Sequence, residues 1–259
     1  MLAVARKLVR FLPLYPKLKE WRNVRALRSW GPQDAQRLEF YRGLIRPADL
    51  VFDIGANLGN RSKVFLRLGA RVVAFEPQSY CVKILRQVLA AESGFQLVQK
   101  ALGDEPGVAE LRVSAMHVLS TLSDQWIGAT SESGRFRGEK WEQREQVSIT
   151  TFDEAIREFG TPAFAKVDVE GFEQQVFAGL SQPIGGGSFE FAAEFLNEAI
   201  ACVERLSGVA PYRFQFSSGE SMHFDWPQWV SLREAADKLH ELARSDRYAW
   251  GDVYFRAGA

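Results

Sequence analysis

The run at residues 51–61, Val-Phe-Asp-Ile-Gly-Ala-Asn-Leu-Gly-Asn-Arg, places an apolar strand pattern directly before a turn with two glycines and a predicted helix. Gly55 and Gly59 lack a Cβ, so the backbone can take positive φ and a ligand can lie against the main chain. Asp53 falls at the carboxyl end of the strand, where ligands bind in open parallel sheets. The run therefore predicts a nucleotide-type cofactor at this strand end.

The spacing of this turn differs from the dinucleotide-binding pattern G-x-G-x-x-G. Asn57 stands where the second glycine of that pattern would be, and Asp53 precedes Gly55 by two residues. A carboxylate there repels a pyrophosphate but suits the ammonium group or hydroxyls of a cationic cofactor. A second predicted strand, 71–76, ends at Glu76, which is placed to accept hydrogen bonds from ribose hydroxyls. Glu76 suits S-adenosyl-L-methionine and NAD alike, whereas Asp53 favours the sulfonium cofactor.

Strand and helix patterns alternate after residue 49. Strands are predicted at 49–54, 71–76, 95–100, 110–113, 146–150, 163–168 and 188–194, with helices at 59–68 and 79–91. Apolar runs near 211–216 and 250–256 predict a terminal antiparallel pair. The polar stretch 114–143 has no clear periodicity, and a loop of that length is often a lid or a substrate contact. The alternation predicts a doubly wound, mostly parallel α/β sheet.

Charge is unevenly distributed along the chain. The 259 residues carry no net charge, but residues 1–30 hold eight basic side chains and one acid, which leaves 24 basic and 31 acidic residues in the rest. The rest of the chain therefore has no basic face of the kind that binds nucleic acid. We expect a basic amphipathic N-terminal extension over 1–40 and one domain over 41–259.

Two features bear on where the protein works. Apolar residues interleave with the N-terminal charges at roughly helical spacing, namely Leu2, Val4, Leu8, Phe11, Leu12 and Tyr15. Such a helix lies on a membrane surface or packs on the edge of the domain, and Pro13 and Pro16 favour the second by keeping it short. The basic residues near the N-terminus argue against a signal peptide, and no transmembrane run of about 20 apolar residues is predicted. Cys81 and Cys202 have no metal-ligand spacing and are expected in predicted helices as reduced thiols in the cytoplasm.

A second informative run, Ala165–Glu173, surrounds the end of the strand predicted at 163–168. Lys166 and Asp168 alternate onto the same side of a strand, and Gly171 permits a tight exit into a helix. Asp168 and Glu170 are therefore candidates to orient or deprotonate a substrate hydroxyl, while Glu173 is expected to cap the following helix.

Three runs in this order carry a family resemblance: FDIGANLGN at 52–60, FEP at 75–77 and KVDVEGFE at 166–173. Weaker support comes from ALGD at 101–104 and from TTFDE at 150–154, where Phe152 replaces an expected leucine. On these runs the chain resembles the FkbM family of S-adenosyl-L-methionine-dependent methyltransferases. The resemblance covers about residues 48–195, and the two longer runs in tandem are specific.

The resemblance implies a seven-stranded, Rossmann-like class I methyltransferase fold and methylation of an oxygen on a sugar, glycolipid or natural-product scaffold. The implied cofactor-binding residues are Asp53, Gly55, Asn57, Gly59, Asn60, Glu76, Pro77 and Asp104. In this set Glu76 holds the ribose, and Asp104 either faces the adenine or serves only in a turn. Beyond Glu194 the resemblance fades, and residues 196–259 are expected to carry much of the choice of acceptor.

A positioned base is expected because an alcohol acceptor loses a proton near the transition state. The candidate catalytic residues are Asp168, Glu170 and Glu194, with His117 and His223, in loop-like surroundings, as weaker candidates. The three carboxylates would also suit a divalent metal such as Mg²⁺, but a reaction without metal is favoured.

Two other function classes stay open. An NAD-linked oxidoreductase is disfavoured by Asn57 and by the lack of an obvious second catalytic domain. A non-catalytic cofactor-binding scaffold in a biosynthetic complex, docked through the basic N-terminus, is disfavoured by the intact acids at 53, 76, 168 and 170. The acceptor, its reacting atom and the oligomeric state are left open by the sequence.

Overall fold

The computed structural model describes residues 15–258. Its strands are β1 (Leu50–Ile54), β2 (Arg71–Phe75), β3 (Phe95–Val98), β4 (Ala101–Gly103), β5 (Gly107–Val113), β6 (Gln143–Thr151), β7 (Phe164–Val167), β8 (Gly186–Ala192), β9 (Tyr212–Ser218) and β10 (Trp250–Ala257). Its α-helices are α1 (Tyr15–Arg28), α2 (Pro32–Tyr41), α3 (Ser62–Arg67), α4 (Ser79–Val88), α5 (Asp124–Ser133), α6 (Phe152–Phe159), α7 (Glu173–Ala178), α8 (Leu196–Val209) and α9 (Leu232–Ser245).

Seven strands form one sheet in the order β3-β2-β1-β7-β8-β10-β9. Only β10 runs against its neighbours, pairing antiparallel with both β8 and β9. This confirms the seven-stranded, mostly parallel sheet and the terminal antiparallel pair. The strand order reverses between β1 and β7, so the carboxyl ends of these two strands border the crevice where open α/β sheets bind ligands.

Side chains alternate across the sheet and set its two faces. Val51 packs with Tyr41 and Phe65, on the face that α2 and α3 cover. Phe52 packs on the opposite face, in the core formed with α6 to α9. Asp53 lies in register with Lys166 of β7. Two charged residues of neighbouring strands are thus brought together at the carboxyl end of the sheet, which borders the crevice.

Two stretches differ from the sequence prediction. The predicted strand 95–100 ends at Val98, and the Lys100 N–H donates a hydrogen bond to the Val98 carbonyl at 2.9 Å. The chain then enters a separate three-stranded sheet, in the order β4-β6-β5. The polar stretch 114–143 contains α5. Ser123 caps the start of this helix, since its hydroxyl accepts the Trp126 N–H, and Gly134, with φ of 79°, caps its end. Only one apolar residue of this helix, Trp126, is fully buried, so its sequence shows little periodicity.

The N-terminal prediction falls partly outside the described residues, which begin at Tyr15. Helix α1 packs against α4, with Leu27 buried and Asn23 donating to the Tyr80 hydroxyl at 2.9 Å. Within residues 15–258, no helix combines the length and apolar character needed to cross a membrane. Cys81 and Cys202 are buried free thiols in α4 and α8. The domain boundary at residue 40 stays a prediction.

Candidate active site

A cavity of about 210 Å³ opens at the carboxyl ends of β1, β2 and β7. Most of the predicted site residues line it, namely Asp53, Gly55, Asn57, Asn60, Glu76, Pro77, Asp168 and Glu170. One wall comes from residues 117–122 at the start of the polar stretch. The fold thus brings residues from three strand ends to one site, and the polar stretch contacts it as a substrate-contacting loop would.

The first glycine of the glycine-rich turn lets the backbone after β1 lie directly against the backbone at the end of β7. Gly55 has φ of 79°, and a Cβ there would lie 1.9 Å from the Asp168 carbonyl oxygen. The turn is held to β2 by Gly55 N–H and Ala56 N–H, which donate to the Phe75 carbonyl at 2.9 and 3.1 Å. Gly59 does not line the cavity. A Cβ on it would lie 2.6 Å from the Leu85 side chain, so this glycine lets α4 pack closely.

Two buried carboxyls stand at the ends of β1 and β2. Asp53 accepts the Ser62 hydroxyl at 2.5 Å, and burial raises its pKa to about 6. Glu76 accepts the backbone N–H groups of Asn57 at 2.7 Å and Gln78 at 2.8 Å. Burial outweighs these hydrogen bonds and raises the pKa of Glu76 to about 7. Both carboxyls are therefore costly to ionise without a cation or hydroxyl beside them.

The end of β7 carries a buried lysine between two aspartates. The Lys166 side chain is 1% exposed, and its Nζ lies 3.2 Å from Asp168 Oδ2 and 3.0 Å from Asp252 Oδ1. Burial opposes the ammonium form, but the two carboxylates outweigh it and raise the pKa of Lys166. Lys166 therefore supplies a permanent positive charge beneath Asp168.

Glu170 and Glu190 complete a cluster of carboxyls with Asp168. Oxygen atoms of the three residues lie within 4.8 Å of one another. Burial, together with the charges of neighbouring carboxylates, raises the pKa of both Glu170 and Glu190 well above the usual glutamate value. Glu170 is held in the left-handed region, with φ of 55°, and its carbonyl accepts the Thr121 hydroxyl at 2.6 Å. The cluster is thus suited to hold or accept a proton beside the cavity.

A family-wide sequence profile described as "Methyltransferase FkbM domain" matches residues 53–235. The chain belongs to the FkbM methyltransferase family. It is 27% identical over 159 residues to 31-O-demethyl-FK506 methyltransferase FkbM of Streptomyces tacrolimicus, in an alignment that covers 52% of this chain and 61% of that protein. The chain thus spans about three fifths of that relative's length.

Solved methyltransferase structures are also similar to this FkbM family member. A TehB-like SAM-dependent methyltransferase of Corynebacterium glutamicum has a TM-score of 0.46 at 8% identity, with 94% of this chain and 97% of that chain covered. Precorrin-6y C5,15-methyltransferase of Geobacter metallireducens has a TM-score of 0.45 at 11% identity, with 86% and 87% covered.

Besides Gly59, two other predicted site residues of this FkbM family member lie away from the cavity. Asp104 is exposed in the turn after β4, because the chain leaves the main sheet after Val98. Strand β8 ends at Ala192 rather than at Glu194, whose carboxylate accepts Arg135 Nε at 2.8 Å and Nη2 at 2.7 Å. Partial burial opposes ionisation, but Arg135 outweighs it and lowers the pKa of Glu194. Asp104 and Glu194 thus do not join the other predicted residues.

The two candidate histidines have different surroundings. His117 lines the cavity, and its Nδ1 is buried without a hydrogen-bond partner among the described residues. Burial and the nearby Lys19 charge lower the pKa of His117 to about 4, so its imidazole is neutral near pH 7. His223 is exposed, and its Nε2 lies 3.2 Å from Asp225 Oδ1.

The sequence prediction missed several charged residues of the site. Arg61 lines the cavity and directly follows Asn60 in the glycine-rich run, so its position was a readable signal. Arg37 of α2 and Glu220, in the turn after β9, also line the cavity. Glu190 joins the carboxyl cluster from β8. These three residues carry no motif, and only the folded arrangement brings them to the site.

Proposed function

We propose that this chain is an S-adenosyl-L-methionine-dependent methyltransferase that transfers a methyl group to a hydroxyl oxygen of a sugar, glycolipid or natural-product scaffold. Family membership supports the reaction class. The observation that carries the proposal is that Glu76, the Gly55 turn and the Asp168–Glu170 carboxyls line one cavity. The relative from Streptomyces tacrolimicus is named as a methyltransferase of an oxygen, which supports an oxygen acceptor.

The residues present fit such a cofactor. Glu76 is a buried acceptor for ribose hydroxyls, and the Gly55 turn leaves room that a Cβ would fill. The buried Asp53 carboxyl favours a cationic ligand in the same cavity. When bound, the cofactor supplies a methyl group already activated by its sulfonium. The protein's part is then to align the acceptor and take up its proton.

Glu170 is the proposed proton acceptor. With the cofactor bound and supplying the methyl group, the Glu170 carboxylate would take up the proton that the acceptor hydroxyl loses. Asp168, paired with Lys166, is proposed to accept a hydrogen bond from the hydroxyl and orient it. The raised pKa of Glu170 makes it a stronger base than an exposed glutamate.

Isothermal titration with S-adenosylmethionine, S-adenosylhomocysteine and NAD tests this function. We expect micromolar binding of the two sulfur compounds, lost in Glu76→Ala. Asp104→Asn is the matched control, since this exposed acid lies outside the cavity and its loss leaves binding unchanged. Binding of NAD alone would favour an oxidoreductase. Binding of the sulfur compounds without methylation of any screened hydroxyl compound would favour the scaffold role.

We also propose that the N-terminal region contacts an anionic lipid surface. Leu18 and Trp21, one helical turn apart on α1, are 48% and 55% exposed, and Arg22 and Arg25 are exposed beside them. Apolar side chains among cations suit a membrane interface, and each basic residue adds about 1 kcal/mol near anionic lipid.

Vesicle co-sedimentation of the full chain measures this contact. Binding is expected to phosphatidylcholine vesicles that contain phosphatidylglycerol, to weaken with salt, and to be lost in the double variant Leu18→Ser, Trp21→Ser. Arg157→Ser, which removes an exposed cation of α6, serves as the control and should bind as the unmodified protein does. Equal sedimentation of the double variant and the unmodified protein would show that α1 does not make this contact.

A further inference from the structure

Two arginines and one glutamate line the cavity at one end. Arg61 Nη2 lies 2.9 Å from Glu220 Oε1, and Arg37 Nη2 lies 3.1 Å from Glu220 Oε2. The arginine side chains are 12% and 14% exposed, whereas that of Glu220 is 48% exposed. The two cations are therefore fixed in the wall, and their carboxylate partner reaches them from the solvent side.

The hydrogen-bonding capacity of this cluster is not filled. Arg61 Nε is buried and has no hydrogen-bond partner among the described residues. A buried guanidinium N–H without a partner is costly, so such a group in a cavity wall indicates a missing acceptor. An anionic oxygen is the partner that a guanidinium binds most strongly.

The local charge balance points to the same ligand chemistry. Asp34 Oδ2 lies 2.9 Å from Lys63 Nζ, and Asp34 Oδ1 lies 3.8 Å from Arg37 Nη1. Asp34 and Lys63 are thus linked through Arg37 to Arg61 and Glu220. Across Arg37, Arg61 and Lys63, three cations face the two carboxylates of Asp34 and Glu220. A ligand carboxylate that takes the place of Glu220 keeps this balance of charges.

The cluster lies on the opposite side of the glycine-rich turn from the proposed ribose site. Glu76 follows β2, on one side of β1 in the sheet, whereas the titratable neighbours of Arg61 include Asp252 and Tyr254 of β10, on the other side. The cavity therefore runs from Glu76, past Gly55, to Arg61. In S-adenosylmethionine the amino-acid carboxylate and the ribose lie on opposite sides of the sulfur.

We infer that Arg61, assisted by Arg37, binds the amino-acid carboxylate of the cofactor, and that Glu220 occupies this subsite when no cofactor is bound. The inference rests on the proposed function and extends it to residues outside the family-type runs. Ligand carboxylate and Glu220 compete for the same guanidinium groups. Cofactor binding thus exchanges one carboxylate for another, and Glu220 turns out toward solvent.

Titration with two ligands that differ in the amino-acid part tests the subsite. S-adenosylhomocysteine carries the carboxylate, whereas 5′-methylthioadenosine keeps the adenosine and sulfur but lacks it. In Arg61→Gln we expect affinity for S-adenosylhomocysteine to fall about 10- to 100-fold, as for the loss of a charge-assisted hydrogen bond, with 5′-methylthioadenosine affinity unchanged. Unchanged 5′-methylthioadenosine binding also shows that the variant is folded. Arg37→Gln, in α2, is the second variant and should show the same selectivity with a smaller loss.

Glu220→Gln provides the opposite test. Removing the competing carboxylate should tighten binding of S-adenosylhomocysteine by a few-fold and leave 5′-methylthioadenosine unaffected. Equal losses for both ligands in Arg61→Gln, or no loss for either, would overturn the subsite. If the unmodified protein binds neither ligand, the proposed function itself fails. If it binds both and Arg61→Gln does not selectively weaken S-adenosylhomocysteine, only the subsite assignment fails.

Discussion

Carboxyls that are close in sequence have different surroundings in this site. Asp168 is paired with the buried Lys166, and its side chain is 40% exposed. Glu170 has no hydrogen bond to its carboxyl among the described residues, and it lies beside Glu190. Two acids separated by one residue thus have different surroundings, which is why we propose Asp168 as the orienting group and Glu170 as the base.

Glu170→Gln should reduce turnover by about 10²- to 10⁴-fold, the usual contribution of a positioned base. Cofactor affinity should stay within a few-fold, because the amide keeps the size of the side chain. Since burial and neighbouring carboxylates raise the pKa of Glu170, the unmodified enzyme should become faster as pH increases above the usual glutamate range. Steady-state kinetics across pH, with cofactor titration of the same protein, measure both quantities.

Asp168→Asn is the companion variant and should also lose most turnover while it keeps cofactor affinity. Normal turnover in Glu170→Gln would exclude Glu170 as the base. The carboxyl cluster also offers oxygen ligands to a divalent ion, but Lys166 already balances one of its charges. We therefore expect full activity after dialysis against EDTA. Loss of activity that Mg²⁺ restores would instead assign the cluster to a metal.

The loop after β7 is held in place by the polar stretch 114–143. Thr121 binds the Glu170 carbonyl, and Trp126 of α5 packs directly against Gly171. Trp126 is buried with Leu119 and Phe195 in a small apolar cluster of its own. The stretch thus positions the loop after β7 as well as lining the cavity.

Gly171→Ala tests this coupling between elements. Gly171 has φ of 86°, and a Cβ there would lie 2.4 Å from Trp126 Cδ1. The variant should lose about 1 to 3 kcal/mol of unfolding free energy through overpacking and should lose activity as the loop shifts. Urea unfolding and kinetics check the two effects. Gly128→Ala, within α5 and with nothing within 4 Å of an added Cβ, should be neutral or stabilising. Equal stability of Gly171→Ala and the unmodified protein would contradict the packing argument.

At the scale of the whole molecule, the sequence predicts what local patterns determine. The first βαβ units, the terminal antiparallel pair and the cavity residues near the glycine-rich turn all depend on short apolar runs and turn residues. The departure of the chain from the sheet after Val98 is set by pairing with the distant β6, so it could not be read locally. Glu190 reaches the site for a similar reason, because β8 is placed by its register with β7 and β10. Arg61 was missed despite a local signal, whereas Glu190 and the departure after Val98 are decided by long-range pairing.

The buried acids make stability depend on pH, and Glu173→Gln isolates one of them. Glu173 is 8% exposed, accepts the Val169 N–H at 3.1 Å in the first turn of α7, and has a pKa that burial raises to about 7. Because this value is above the unfolded value of 4.5, its contribution to stability is full below pH 4.5 and is lost as pH rises through about 7. The loss amounts to about 3 kcal/mol. The amide keeps an oxygen acceptor and does not ionise. Glu173→Gln should therefore lose less unfolding free energy between pH 5 and pH 8 than the unmodified protein, as measured by urea unfolding at each pH.

Glu158→Gln, which changes an exposed acid, is the control and should show the same dependence of unfolding free energy on pH as the unmodified protein. The same pH dependence in all three proteins would mean that Glu173 ionises freely in the folded state.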